Sequence, residues 1–208
     1  MKFTTTGAAK VTVVVSNGST KEDNKIGVSN ADGTVKVTAA DAIAKKSNDS
    51  TLETHTLYVE TAGEWYLYST TGSSYIYKIN VDKVTPHTIT FNANGGTGDG
   101  MDAMTIITGD TAKKLTKNTY TKEGFVFGGW AASTTDAEAG TVLYADEAEV
   151  SDLTEDVTLY AIWKAGYKVT FVTSDDTTDA VDVEAGKTVA KPADPVRDGY
   201  KFYGWYTK

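Results

Sequence analysis

Two histidines, His55 and His87, are the side chains of this 208-residue sequence whose ordinary pKa suits proton transfer near neutral pH. His87 follows Pro86, and His55 lies in the polar stretch "LETHTL" at positions 52–57. The sequence contains neither G-x-S-x-G nor H-E-x-x-H, the motifs of serine hydrolases and of zinc proteases. We therefore predict that both are surface histidines without a catalytic role.

Pairs of carboxylates are the other candidates for acid–base chemistry. Asp146 and Glu147 are adjacent, as are Asp175 and Asp176, so the members of each pair would face opposite sides of a strand. A glycosidase instead needs two carboxyl groups that face one cleft. The acidic residues also lack the spacing of a calcium-binding loop. We predict no enzyme activity, no metal site and no cofactor.

The aromatic residues predict a different chemistry, the stacking of rings against sugars. The segments "EWYLYST" (64–70) and "SYIYKINV" (74–81) have the composition of strands, and "TTGSS" (70–74) predicts that they form a hairpin. Strand alternation places Tyr75 and Tyr77 on the face that carries Ile79. Sugar-binding sandwiches use such rings, although rings also pack across strands inside a core. The candidate glycan-binding residues are Trp65, Tyr66, Tyr68 and Tyr75.

Charge and composition exclude several classes of partner. The formal net charge is −8, and no Lys or Arg lies between Lys122 and Lys164. Such a surface repels a phosphate backbone, so we expect no nucleic-acid partner. The absence of cysteine removes disulfides, thiol catalysis and zinc–thiolate sites. No apolar run is long enough to span a bilayer, so we expect no membrane insertion.

The order of apolar and turn residues predicts a mainly β chain. Segments such as "AKVTVVVS" (9–16) and "TLYVET" (56–61) are rich in Val, Thr and Tyr, and turn residues recur every 8–12 positions, which is typical of an antiparallel sandwich. Two short helices are also indicated, in "TAADAIAKK" (38–46) with a Thr38–Asp41 capping box and in "GDTAKKL" (109–115) with Asp110 as N-cap. An irregular loop fits the first of these segments as well.

An internal repeat occupies the second half of the chain. "GFVFGGW" (124–130) returns as "GYKFYGW" (199–205), and Phe91 returns as Phe171. Strand alternation predicts that Phe127 and Trp130 lie on opposite faces. The spacing between matching residues shrinks along the repeat, as it does when loops differ between shared strands. We interpret the motif as a packing signature of a repeated module.

The repeated motifs resemble the internalin-type B repeat, or Listeria–Bacteroides repeat, of bacterial surface proteins. The first copy shows "ITFNANGG" (89–96), "GFVFGGW" and "TLYAIW" (158–163), whereas the second shows "VTFVTSDD" (169–176) and "GYKFYGW" without a counterpart of "TLYAIW". The resemblance implies small β-grasp-like units in exported, cell-surface or adhesive proteins. Because the second copy lacks the last strand, we expect that the chain ends inside a domain. Residues 3–20 and 60–81 are similar to β-sandwich modules appended to pectate lyases and other polysaccharide-degrading enzymes.

These observations predict four segments and a function. The segments are a β-sandwich accessory module at 1–82, a linker at 83–87, a first repeat at 88–164 and a truncated second repeat at 165–208. We expect a non-catalytic binding or display fragment of a larger secreted or cell-wall protein, located outside the cell or on its surface. Its partner would be a polysaccharide, or a glycan or protein of a cell surface. The alternatives are a structural stalk without a ligand and an accessory part of a polysaccharide-degrading enzyme.

Overall fold

A computed structural model describes residues 1–18, 23–44, 52–172 and 180–206. Strands dominate these residues, and several antiparallel sheets are present, so the predicted mainly β class is confirmed. The described chain divides into two compact units. Unit 1 comprises Met1–Ile89, Ala103–Leu115 and Glu149–Val157, and unit 2 comprises Thr90–Asp102, Thr116–Ala148 and Thr158–Lys208. The predicted boundaries at 82, 88 and 164 stay a prediction.

Unit 1 contains an antiparallel sandwich. Its strands are β1 (Lys2–Thr5), β2 (Ala9–Asn17), β3 (Ile26–Asn30), β4 (Lys36–Thr38), β5 (Glu53–Val59), β6 (Gly63–Ser69) and β7 (Ser74–Lys83). One sheet has the order β1-β6-β3-β4, and the other has the order β5-β2-β7. Alternate residues of β2, namely Val11, Val13 and Val15, are fully buried, as a half-buried strand of period two requires. They share one core with Ile26 and Trp65 of the first sheet.

The predicted hairpin of residues 64–81 is wrong, because β6 and β7 belong to different sheets. β6 pairs with β1 and β3, whereas β7 pairs with β2. Buried Asn24 fixes the connection between them: its Oδ1 accepts a hydrogen bond from Thr71 N at 2.9 Å, and its Nδ2 donates to Ser74 Oγ at 2.9 Å. A four-residue connection, at positions 70–73, is compatible with a hairpin or with a crossing between sheets, and tertiary contacts decide between them.

A β-bulge also overturns the predicted face of β7. The register with β2 shifts between Val14 and Val15, so the alternation of side chains changes at this point. Ile76 and Ile79 pack against the core, while Tyr75 and Tyr77 are exposed. The two tyrosines therefore do not share the face of Ile79.

The other strands of unit 1 are short. Strand β9 (Met104–Ile106) pairs with residues 87–89 of β8 (His87–Asn92), and β10 (Lys113–Lys114) pairs with β12 (Glu149–Val150). Neither predicted helix is present in the described residues, since 39–44 and 109–112 are irregular, and positions 45–46 lie outside the described residues. Asp110 N donates to Ile107 O at 3.0 Å and closes a turn, and the Asp110 carboxylate accepts a hydrogen bond from Thr111 N at 2.7 Å instead of capping a helix.

Unit 2 contains β11 (Phe125–Ala131), helix α1 (Thr134–Ala139), β13 (Val157–Val169) from Thr158 onward and β14 (Val181–Glu184). β13 is continuous through positions 164–165 and lies between β11 and β8. Helix α1 is not among the predicted elements, although the sequence contains its signals: Ser133 Oγ accepts a hydrogen bond from Asp136 N, and Gly140 ends the helix with φ of 72°.

Trp130 is the centre of the aromatic packing in the first repeat. It is fully buried, and its ring centroid lies 4.9 Å from those of Phe91 and Phe127 and 6.4 Å from that of Tyr120. The predicted placement of Phe127 and Trp130 on opposite faces is wrong. A register shift between these residues, where Gly129 has φ of 117°, brings Trp130 to the face of Phe127.

The second repeat has the same aromatic arrangement. Trp205 lies 5.1 Å from Phe171 and 5.4 Å from Phe202, measured between ring centroids. The β-pairing is also repeated. Ile89 pairs with Met104 in the first repeat, and Val169 pairs with Val181 in the second. Val169 lies 80 residues after Ile89, and Val181 lies 77 residues after Met104. Residues 200–206, which include the counterparts of Phe127 and Trp130, form no β-pairing. The internal repeat is therefore visible in the structure as well as in the sequence.

Candidate functional site

The four candidate glycan-binding residues do not form one surface. Trp65 is 2% exposed, and its Nε1 donates to Thr5 Oγ1 at 3.1 Å, so its ring belongs to the sandwich core. Tyr66 and Tyr68 alternate with it and lie on the outer face of the first sheet. Tyr75 is 56% exposed and belongs to the second sheet. The prediction that Trp65 binds a glycan is therefore wrong, because its ring is a core residue. Tyr66 and Tyr68 lie together on the outer face.

Tyr68 lies across a neighbouring strand because that strand has a glycine at the paired position. Gly27 pairs with Tyr68, and a Cβ built on Gly27 would come within 2.4 Å of the ring atom Cζ of Tyr68. The ring therefore covers the backbone of β3. Its hydroxyl lies 3.1 Å from Thr38 Oγ1 on β4. Contacts on two strands hold this ring in one orientation while it remains half-buried.

We call the outer surface around these rings the tyrosine face: Lys2, Gly27, Ser29, Lys36, Thr38, Glu64, Tyr66 and Tyr68. Tyr66 is 37% exposed and pairs with Lys2 on one side and Ser29 on the other, and Ser29 pairs with Lys36. The face therefore presents two rings beside hydroxyl and ammonium groups. Such a combination can stack against the apolar side of a pyranose and bind its hydroxyls.

An ion pair sets the electrostatics at one edge of the tyrosine face. Lys2 Nζ contacts Glu64 Oε1, and the Tyr66 hydroxyl lies 3.5 Å from Glu64 Oε2. The hydrogen bond and the charge of Lys2 lower the pKa of Glu64, and Glu64 raises the pKa of Lys2 in the same way. Both groups are therefore charged over a wide pH range around neutrality. Lys10, Lys78 and Lys83 lie on strands of the second sheet and do not contribute to this face.

A concave surface lies in unit 2. It is a cleft of about 570 Å³, lined by Lys122, Phe125, Phe127, Trp163, Tyr167 and Asp182 among others. Lys122 Nζ lies 4.9 Å from the centroid of the Phe125 ring, and Trp163 Nε1 donates to Ala93 O at 2.9 Å. This cleft is not predictable from the sequence, because its residues are distant in sequence and follow no motif.

The histidines differ from the prediction in one respect. His55 is 6% exposed, with its side chain among the core-facing positions of β5, so the prediction of a surface residue is wrong. Its Nε2 lies 3.5 Å from Glu53 Oε2 but makes no hydrogen bond to any described residue. His87 Nδ1 lies 3.9 Å from Asp156 Oδ1. Alternation along β5, where Leu57 and Val59 are buried two and four residues later, was the signal that His55 points inward.

In the described part of the chain, no group of three or more His, Asp or Glu residues is arranged to hold a metal ion. No helix there is long and apolar enough to cross a membrane. Asp175 and Asp176 lie outside the described residues, and Asp146 accepts a hydrogen bond from Asn118 N at 2.9 Å.

Comparison with known proteins identifies the repeats. The model of the Listeria-Bacteroides repeat domain matches residues 87–162 and 167–208. The chain belongs to the Listeria-Bacteroides repeat family. The two matched ranges contain the two aromatic clusters around Trp130 and Trp205. The resemblance noted from the motifs is thereby confirmed.

Two similar proteins come from Evansella cellulosilytica. One, named "Putative membrane protein", is 30% identical over 133 residues, which are 62% of this chain and 18% of that protein. The other, named "Putative Gly-rich membrane protein", is 32% identical over 92 residues, which are 43% of this chain and 10% of that protein. The chain thus spans less than a fifth of either relative. No solved structure matches the chain.

Proposed function

We propose that this chain is a non-catalytic binding and display segment of a larger polypeptide at the bacterial cell surface. Membership of the Listeria-Bacteroides repeat family and similarity to two far longer proteins named as membrane proteins support this assignment. Antibodies raised against the chain should label intact cells of its source. Labelling that requires permeabilised cells would contradict the assignment.

Within this segment, we propose that the tyrosine face binds a carbohydrate. The observation that carries the proposal is the ring of Tyr68, which Gly27 and Thr38 hold across the sheet beside the exposed ring of Tyr66. A ring fixed in this way loses little conformational entropy when a sugar stacks on it. Lys2, Lys36 and the hydroxyl of Ser29 lie in register to bond sugar hydroxyls.

A glycan array followed by calorimetry tests this site. Tyr66→Ala and Tyr68→Ala should each weaken the best-binding glycan by about tenfold or more, which corresponds to roughly 1.4 kcal/mol. Gly27→Ala should do the same without removing a ring, since the added Cβ would displace Tyr68. Tyr75→Ala is the matched control, because this tyrosine is exposed on the other sheet. The absence of any bound glycan, or equal binding by all four variants, would favour the structural stalk.

A further inference from the structure

Strand β7 is the longest edge strand of the sandwich in unit 1. It has ten residues and pairs only with β2 among the described strands, whereas the edge strands β1 and β4 have four and three residues. The remaining edge strand, β5, is approached by another segment, since a Cβ built on Gly109 would come within 2.8 Å of the Tyr58 hydroxyl. On β7, by contrast, Tyr77 and Val81 are 58% and 39% exposed. The free side of β7 is therefore long and accessible enough to pair with another strand.

The backbone of β7 has hydrogen-bonding groups on this free side. Val84 N donates to Ala8 O at 3.1 Å, so the even-numbered residues between the bulge and Val84 bond toward β2. Because bonding directions alternate along an antiparallel strand, the N–H and C=O groups of Ile79 and Val81 point away from β2. No described residue forms a hydrogen bond with these groups. They are the main-chain groups of an open edge.

Two opposite charges lie four residues apart on the same segment. Lys78 and Asp82 are exposed, and neither has an ion-pair partner among the described residues. Lys10 lies opposite Asp82 on β2, but no ion pair joins them. On the other face of β7, Ile79 packs against the core, while Val81 remains exposed. The segment thus presents apolar surface together with one charge of each sign.

A second copy of β7 in antiparallel orientation matches all of these groups in one register. When Asn80 lies opposite Asn80 of the other copy, Lys78 lies opposite Asp82, and Ile79 lies opposite Val81. The free main-chain groups then face each other, and the apolar side chains share one face. A register centred on Lys78 or on Asp82 would place like charges opposite each other. A register centred on Ile79 or on Val81 would leave both charges without an opposite charge to face.

We propose that unit 1 associates with a second copy of this chain through β7, around a two-fold axis at Asn80. The two sheets of order β5-β2-β7 are then joined edge to edge in an isologous interface. Main-chain bonds between Ile79 and Val81 supply the attraction, and the Lys78–Asp82 pairs fix the register. The match of this strand with itself is the reason why the partner is a second copy.

The features that usually protect a sheet edge do not block this register. Lysine side chains and bulges commonly prevent pairing between edge strands. Here the bulge lies on the N-terminal side of Lys78, so residues 78–83 are in regular register with β2. The lysine also faces a carboxylate of the other copy. The inference does not rest on the tyrosine face, which belongs to the other sheet of the sandwich.

Sedimentation equilibrium of the full chain tests the proposal. The contact is limited to residues 78–82 and is far smaller than a standard interface of about 1,600 Å², so we expect a dissociation constant above about 10 μM. Samples from about 1 μM to about 1 mM should therefore pass from monomer to dimer. In NMR exchange measurements over the same range, the amide protons of Ile79 and Val81 should become more protected as the concentration rises.

Charge-reversal variants test the register. Lys78→Glu and Asp82→Lys should each weaken dimerisation by about tenfold or more, because like charges then face each other twice. Net charge alone would favour association of Asp82→Lys, which makes an acidic chain less negative. An equimolar mixture of the two variants should form a heterodimer, and the double variant should dimerise like the wild type. Lys36→Glu is the matched control, since it makes the same change at an exposed lysine of the other sheet.

Val81→Pro tests the main-chain contacts. It removes one donor from the free side without removing a bond to β2, and it should weaken dimerisation by about tenfold or more. Thermal melting establishes that each variant is folded. A chain that stays monomeric at every concentration would overturn the proposal. A dimer that Lys78→Glu and Asp82→Lys leave unchanged would overturn it too, because the contact would then use another surface or another register.

Discussion

At the scale of single residues, the side chain of Trp130 packs among aromatic rings. Its Nε1 has no hydrogen-bond partner among the described residues, and three rings lie close to it. Trp130→Ala would leave a large cavity and should lower the free energy of unfolding by about 3–5 kcal/mol. Trp205→Ala, at the half-buried counterpart, should cost clearly less. Urea denaturation followed by circular dichroism compares the two, and equal costs would contradict the difference in burial.

Glu64 provides a second prediction for a single residue. Because Lys2 lowers the pKa of Glu64, the ion pair stabilises the fold above the unfolded pKa of the carboxyl group and is lost as pH falls through the folded pKa. Lys2→Met should therefore raise the pKa of Glu64 toward its ordinary value, as measured by NMR titration. Lys36→Met is the control, since Lys36 pairs with Ser29 and not with β6. An unchanged pKa in Lys2→Met would contradict the assigned cause.

Individual side-chain directions were predicted less well than strands, for a physical reason. The inward direction of Trp65 and the outward direction of Tyr66 and Tyr68 follow from alternation. The faces of Tyr75 and Trp130 do not, because a register shift follows Tyr75 in β7 and another precedes Trp130 in β11. A glycine pair in "FGGW" permits such a bulge but does not require one. The tyrosine face could therefore be predicted only in part.

At the scale of elements, α1 depends on its two ends. Six residues are too few for a helix to be stable alone, so the caps at Ser133 and Gly140 must contribute. Gly140→Ala should destabilise the protein by about 1–2 kcal/mol, because the residue has φ of 72° although the space around it is open. Gly100→Ala is a matched control: its surroundings are also open, and it has no positive φ. Similar melting temperatures for both variants would contradict this account.

The elements themselves were mostly predictable from composition. Runs of Val, Ile, Thr and Tyr became β2, β5, β6, β7 and β8. The predicted helix at 109–115 failed because Lys113 and Lys114 pair with β12, a long-range contact that local propensity does not contain. The partners of β6 and β7 were likewise decided by burial of the sandwich core and not by the turn between them.

At the scale of the whole molecule, the two repeats should differ in stability. The residues around Trp130 are buried, whereas 185–206 contain no strand and many exposed rings. Amide exchange should therefore be faster in 185–206 than in β11 and in residues 158–163 of β13. Equal protection of both regions would contradict this expectation.

The continuity of β13 has a mechanical consequence. Residues 160–165 pair with β11 of the first repeat and residues 166–169 pair with β14 of the second, with no linker between them. A pulling force along the backbone would pass from one repeat to the next through a hydrogen-bonded strand. We expect that extension in an optical trap would begin with 185–206 and not at the junction between the repeats. An early yield at positions 164–166 would show that the junction is the weaker element.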